Sequence, residues 1–285
     1  MKVSILLPAY KSEKLLSKVF CKSYFNLYLD NPDIELIIYD NGGNGKDLDV
    51  LRNDNNYSLD SQALLGIKVV GDGVNVGLNK ALNACFEASE GEFIYMPHTD
   101  MMMMPGCLES LIGTAKNQAP GKYLFCSRSI EKTSHIPMQL LKDFGTTLED
   151  FNEEKLNEYF KSYKDKGIVT GYRMPFFGHR KLLLTLREYN VKNNFSNGPF
   201  DDSFFSYATD NDLFFSCYDI GVRRFWMIEE SVVYHLSGHS NNQQSVDKND
   251  KKPYIRLCEK WKALNVTMNI DASEQNLIPW NFKVK

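Results

Sequence analysis

No apolar run in this 285-residue chain approaches the ~20 consecutive residues that a membrane-spanning helix needs. A transmembrane segment is therefore not expected, although peripheral contact with a membrane surface stays open. An excess of either charge is missing as well. With 33 basic against 36 acidic side chains the net charge is −3, which supplies no global field to recruit nucleic acid or an anionic membrane. Closely spaced cysteines are also absent. The six present (Cys21, Cys85, Cys107, Cys126, Cys217 and Cys258) are scattered, mostly among apolar neighbours, which argues against a zinc site or a small disulfide framework. They read as reduced core residues of a cytoplasmic protein. The chain enters a strand directly after Met1 instead of a secretory leader. Internal repeats and low-complexity tracts are not found. What remains, 43% hydrophobic residues over this length, fits a large soluble domain or two tightly joined ones with a sizeable core.

The first hundred residues alternate β-rich runs with helical patterns, which predicts an α/β fold with a mostly parallel sheet flanked by helices. Val3 to Leu7, Glu35 to Tyr39, Lys68 to Val70 and Phe93 to Met96 read as strands. Leu15, Leu16, Val19, Phe20, Tyr24 and Leu27 recur at helical spacing after Ser12, a suitable N-cap. Asn75 to Ala88 reads as a second helix. Further on, Asp150 and Glu153 resemble a capping box before a helix that Gly167 would stop. An apolar segment around Met174 to Phe177, a helix from Arg180 to Tyr189 and an acidic segment from 200 to 213 follow. Trp226 to His235 reads as a strand, and Tyr254, Leu257, Trp261 and Leu264 define a closing amphipathic helix.

Three of the four early strands end in polar groups able to bind a ligand. The apolar run Phe93 to Met96 stops at Pro97-His98-Thr99-Asp100, and Glu35 to Tyr39 stops at Asp40 before the turn Asn41-Gly42-Gly43-Asn44-Gly45. In open α/β sheets ligands bind beyond the carboxyl ends of the strands, so Asp100 is a candidate for a metal or phosphate site. Each segment taken singly reads more readily as an ordinary turn or cap.

In combination and in order, these segments over about residues 2 to 265 resemble the inverting family 2 glycosyltransferases of the GT-A fold, in particular their rhamnosyltransferase-like members. The resemblance implies that Pro8, Ala9 and Tyr10 meet the nucleotide base and that Asp40 hydrogen-bonds it. Asn75 and Gly77 would lead into a helix whose free N–H groups and Lys80 face the nucleotide. The family's Asp-x-Asp motif aligns with His98-Thr99-Asp100. Asp100 thus takes the part of the metal ligand, with His98 and Thr99 in the nucleotide site. Replacing the first carboxylate by His98 removes a negative charge and favours Mn2+ over Mg2+.

Asp201-Asp202-Ser203-Phe204-Phe205 and Thr209-Asp210-Asn211-Asp212-Leu213 match the family's acidic signature, with Thr209 in place of a glutamate. By this resemblance Asp210 is the catalytic base, Asp202 its fallback, Asp212 an orienting group, and Asp201 and Asp202 hold acceptor hydroxyls or cap a helix. His235, at the end of a strand before Ser237-Gly238-His239-Ser240, joins Asp100 in holding metal and diphosphate. Gly178 and His179 are expected near the sugar pocket, and the polar stretch after Ser240 falls where the family has a lid. Of the five histidines only His135 lies outside these segments.

The domain plan is a catalytic domain over 1–265, with a nucleotide-binding half (1–104), an acceptor half (105–240) holding an insertion (127–170), and a mobile loop with C-terminal helix and tail (241–285). The implied partners are a nucleotide-diphosphate sugar, a glycan or other hydroxyl acceptor, and a divalent cation. Two rivals stay open: a non-catalytic binder of sugar nucleotides or glycans, and a sugar nucleotidyltransferase. The second is weakened because Pro8-Ala9-Tyr10-Lys11-Ser12 lacks a Gly-rich basic loop.

Overall fold

The computed structural model describes residues 2–42, 48, 67–132, 139–206, 208–236 and 252–262. His135, His239, Leu264, Gly43 to Gly45 and the expected lid after Ser240 lie outside them. The strands are β1 (Val3–Ala9), β2 (Ile34–Asp40), β3 (Ile67–Val70), β4 (Phe93–Met96), β5 (Met101–Met103), β6 (Tyr123–Glu131), β7 (Leu140–Leu141), β8 (Ile168–Thr170), β9 (Phe176–His179) and β10 (Arg224–His235). Around them stand α1 (Glu13–Leu15, continued through a π-helical stretch Leu16–Cys21 into Lys22–Tyr28), α2 (Leu78–Ala88), α3 (Cys107–Ala115), α4 (Glu153–Ser162), α5 (Arg180–Lys192), α6 (Thr209–Asp219) and α7 (Lys252–Lys262). Among the described residues no helix is long and apolar enough to cross a membrane.

One sheet runs in the order β3-β2-β1-β4-β9-β6-β10-β5, with β7 beside β6 and β8 beside β10. β1, β2, β3 and β4 are parallel, so their carboxyl ends meet at one edge, as the strand-end pattern predicts. Why those strands read as unbroken apolar runs is plain from their packing. Val3, Ile5 and Leu7 of β1 face one core with α1 and α3, while Leu6 faces another with α2, α5 and α6. In β4, Phe93 and Tyr95 go to the first core and Ile94 and Met96 to the second. A sheet covered on both faces needs apolar side chains at most positions of both faces, each contributing about 1.5–3 kcal/mol on full burial. All six cysteines are free and buried.

Two boundaries differ from expectation. Residues 127–131, assigned by sequence to the insertion, complete β6, which pairs with both β9 and β10. The helix within the insertion is capped by Asn152, whose side chain accepts from the Lys155 N–H, and not by Asp150. Asp150 instead accepts from the N–H groups of Thr146 and Thr147, closing the preceding turn. α4 places Leu156 against Val19, Met104 and Tyr234, covering the β5 end of the sheet.

At the edge remote from the strand carboxyl ends, Glu35 is buried and accepts from Ser4 Oγ (2.5 Å) and the N–H groups of Glu90 (2.6 Å) and Gly91 (3.0 Å). Lys2 and Lys68 each approach its other oxygen to 3.2 Å. Burial alone pushes its carboxyl up, but these donors together hold it at about 2, below its ordinary 4.5. A lowered folded value contributes stability that is complete above the ordinary value and lost as pH falls toward the lowered one. Glu35→Gln is therefore expected to cost about 2–3 kcal/mol at pH 7 and to flatten the acid limb between those two values. Denaturant titrations at pH 7 and pH 3 check both points.

Candidate active site

The turn after β4 and the end of β10 meet because β5 folds back antiparallel on β10, with Met101 opposite His235 and Met103 opposite Val233. The Leu236 N–H donates to the Asp100 carbonyl (3.0 Å), and the Met101 N–H to the His98 carbonyl (3.2 Å), which fixes the turn. Donor atoms of His98, Asp100 and His235 consequently lie within 4.8 Å of one another. Asp100 is fully buried, its Oδ1 is 3.4 Å from His235 Nε2, and the two imidazole centroids are 6.2 Å apart. Thr99, between the two motif residues, is also buried.

His235 is held from behind. Its Nδ1 is 2.9 Å from Glu131 Oε1, at the end of neighbouring β6. Glu131 also accepts from Gln139 Nε2 (2.8 Å) and from Arg173 (3.1 and 3.3 Å). Burial would lower the His235 imidazole, but Asp100 and Glu131 outweigh it and raise it to about 10. His98 goes the other way, because its burial outweighs the charges of Asp100 and Asp210 and lowers it. Glu131 and Arg173 escaped the sequence reading. Yet Glu131 terminates the run Tyr123 to Ile130 as Asp40 terminates β2, so the same strand-end signal marks it.

The donor set fits a divalent cation that would take the place of the His235 proton: one carboxylate and two imidazoles converge, and one imidazole is oriented through its other nitrogen by a carboxylate, as metal-bound histidines usually are. Asp210 occupies the first turn of α6, where its Oδ1 accepts from the Asn211 N–H (2.9 Å), near enough for its charge to act on His98 and Tyr172.

The segments expected to meet a nucleotide also converge. Ala9 is in register with Asp40, and Asp40 Oδ1 is 3.4 Å from the Gly42 N–H. Gly42, at φ 150°, is packed so tightly that an added Cβ would stand 2.6 Å from the Tyr10 ring and 3.5 Å from Asn75 Cβ. Asn41 Oδ1 accepts from the Val76 N–H (2.9 Å), and Asn75 Oδ1 from the Gly77 N–H (3.0 Å), tying the ends of β1 and β2 to the start of α2. Pro8 is half-buried and Lys80 is exposed in the first turn of α2. One expectation is modified: the first N–H of α2, from Leu78, already donates to the Phe205 carbonyl (2.6 Å).

Five other residues are placed elsewhere. β9 runs antiparallel to β4, with Phe176 opposite Met96 and His179 opposite Phe93, so Gly178 and His179 lie toward the far edge from the His98 cluster. A Cβ on Gly178 would meet Leu182 and Leu124 in the core, and His179 caps α5 by accepting from the Lys181 N–H. Neither lines a pocket with the cluster. Asp201 and Asp212 are buried on Lys260 of α7, at 3.0 Å each, instead of facing an acceptor. Asp202 accepts from Asn83 Nδ2 (2.7 Å), part of a set of bonds by which α2 holds the segment 196–202.

This Rossmann-like α/β sheet has the GT-A fold, with a carboxylate and two imidazoles converging just past its fourth strand. The family model described as Glycosyl transferase family 2 matches residues 4–184, and the chain belongs to that family. No curated protein sequence matches it. Among solved structures it is similar to S. aureus TarS 1-349 (TM-score 0.55, 15% identity), covering 82% of this chain and 60% of that one. It therefore spans less than two thirds of that neighbour's length. TarS 1-349 in complex with UDP-GlcNAc gives a TM-score of 0.57 at 14% identity over 94% of this chain and 68% of that one. GalNAc-T7 with UDP, GalNAc and Mn2+ gives 0.61 at 12% identity, over 92% and 48%.

Proposed function

We propose that this glycosyltransferase moves a sugar, with inversion, from a nucleotide-diphosphate sugar to a hydroxyl of a glycan or other glycoconjugate. The observation that carries the reading is the convergence of His98, Asp100 and His235 just past β4, at the sheet edge where β1 and β2 also end, with Asp210 near enough for its charge to act on His98. Tyr10, Asp40 and the Asn75 to Lys80 segment hold the nucleotide, with Pro8, Ala9 and Thr99 shaping its walls. Asp210 takes the proton from the attacking hydroxyl, and one carboxylate suffices for a single in-line displacement. That position matches the base of rhamnosyltransferase-like members.

Asp100, His235 and His98 would hold a divalent cation, with nitrogen donors favouring Mn2+ over Mg2+. Bound there, it supplies a counter-charge for the departing diphosphate. A structure with UDP-GlcNAc and another with UDP and Mn2+ are among those similar to this chain, so uridine sugars are the donors to test first. The buried free cysteines fit a reducing, cytoplasmic setting.

The test is a thermal-shift screen of nucleotide sugars with and without Mn2+. It is followed by assay of the stabilising donor with hydroxyl acceptors and assignment of the product anomer by NMR. Donor-dependent stabilisation and an inverted product are expected. A retained anomer refutes the single-displacement reading. Stabilisation without release of nucleotide diphosphate, whatever the acceptor, favours a binder.

A further inference from the structure

We propose that Lys260, from the C-terminal helix, is a positioning residue for transfer: it anchors both ends of the acidic segment 201–212 and so sets the side chain of Asp210. The inference rests on the assignment of Asp210 as base.

Lys260 is the one buried lysine among the described residues, its side chain wholly withdrawn from solvent. Its ammonium lies 3.0 Å from Asp201 Oδ2 and 2.8 and 3.0 Å from the two oxygens of Asp212. It also stands 4.2 Å from the centroid of the Phe195 ring and 5.6 Å from that of Phe204. Trp261 adds an N–H donated to Asp212 Oδ1 (2.9 Å) and packs its ring on Phe215, while Leu257 joins Phe204 and Phe215 in a small core of their own. Burying an ammonium with two carboxylates carries a large desolvation penalty, and an apolar trio of equal volume would hold α7 in place as well or better. What the ionic version adds is a defined position for the two carboxylates.

Those carboxylates bracket the base. Asp201 opens the segment, and its other oxygen accepts from the Ser203 N–H (2.9 Å) and hydroxyl (2.7 Å). Asp212 lies in the first turn of α6, which begins at Ala208 in the left-handed region and has no side-chain cap. Residues two apart on a helix point about 200° from each other, so a turn whose Asp212 is drawn to α7 directs Asp210 away from it. There its Oδ1 accepts from the Asn211 N–H (2.9 Å), so the backbone of that same turn holds the carboxylate. Asp201, Asp212 and α7 thus fix the rotation of the α6 N-terminus, and a base displaced by about 1 Å can lose 10²-fold in rate.

The experiment compares Lys260→Met, Lys260→Arg and the milder Trp261→Phe with the unaltered chain, by hydrogen exchange over residues 200–219 and by steady-state transfer kinetics. Expected are faster exchange at the start of α6 in Lys260→Met and Trp261→Phe, and a kcat at least about tenfold lower in Lys260→Met. Donor KM and donor-induced thermal stabilisation should stay within about twofold, and Lys260→Arg should recover part of kcat. Should Lys260→Met not fold, Trp261→Phe carries the same comparison. Unchanged exchange, unchanged kcat beside faster exchange, or a parallel loss of kcat and donor affinity overturns the anchor. Exchange needs no substrate, so these failures are separable from failure of the base assignment, which appears as transfer retained by Asp210→Asn.

Discussion

Replacing Asp210 with asparagine should lower kcat for transfer by about 10²–10⁴-fold, the usual contribution of a positioned general base, while changing nucleotide affinity by no more than about twofold. Asparagine keeps the shape and the first-turn position on α6 but cannot take a proton. The residue stands at the start of α6, and the groups proposed to grip the nucleotide come from β1, β2 and α2, so its loss is expected to leave the donor side intact. Kinetics with saturating donor, alongside nucleotide-induced thermal shifts, separate the two effects. Turnover near that of the unaltered chain would remove Asp210 from the role. Asp202, the fallback in sequence, is an unattractive substitute because its carboxylate is engaged by Asn83.

The parallel half of the fold was legible because its physics is local and repetitive. β1, β2 and β4 are apolar on both faces, and each ends where a polar residue emerges at the sheet edge, so Asp40 and Asp100 could be read directly. The direction of β9 could not. Phe176-Phe177-Gly178 is as apolar as the parallel strands, and only its pairing with β4 reveals that His179 travels away from the cluster. The acidic segment misled for a different reason. Asp201 and Asp212 carry the charge expected of acceptor-binding groups, but their partner Lys260 is 59 and 48 residues away on a helix whose amphipathic pattern says nothing about ion pairing. Asp150 failed at short range, since a carboxylate accepts as readily from the N–H groups of the turn behind it, here Thr146 and Thr147, as from a helix start ahead, and Asn152 stood two positions nearer the helix.

Changing Asp100 to alanine should abolish Mn2+-supported nucleotide binding, with an affinity loss of roughly 10²-fold or more, since even residues behind a metal's ligands cost 10–100-fold. Asp100 is the sole carboxylate of the three-residue cluster, and neither His98 nor His235 can supply its negative charge. The change also removes one of the two carboxylates that draw the His235 imidazole up to about 10, leaving Glu131 alone to orient it. Two consequences follow that a merely structural turn would not share. Nucleotide binding in the absence of metal should be little altered, and the gain in melting temperature on adding Mn2+ to the nucleotide complex should vanish. Calorimetric titration of a nucleoside diphosphate with and without Mn2+ measures both. An affinity in Mn2+ equal to that of the unaltered chain would mean that Asp100 only closes the turn between β4 and β5, and that the buried pair it forms with His235 serves to join β5 to the sheet.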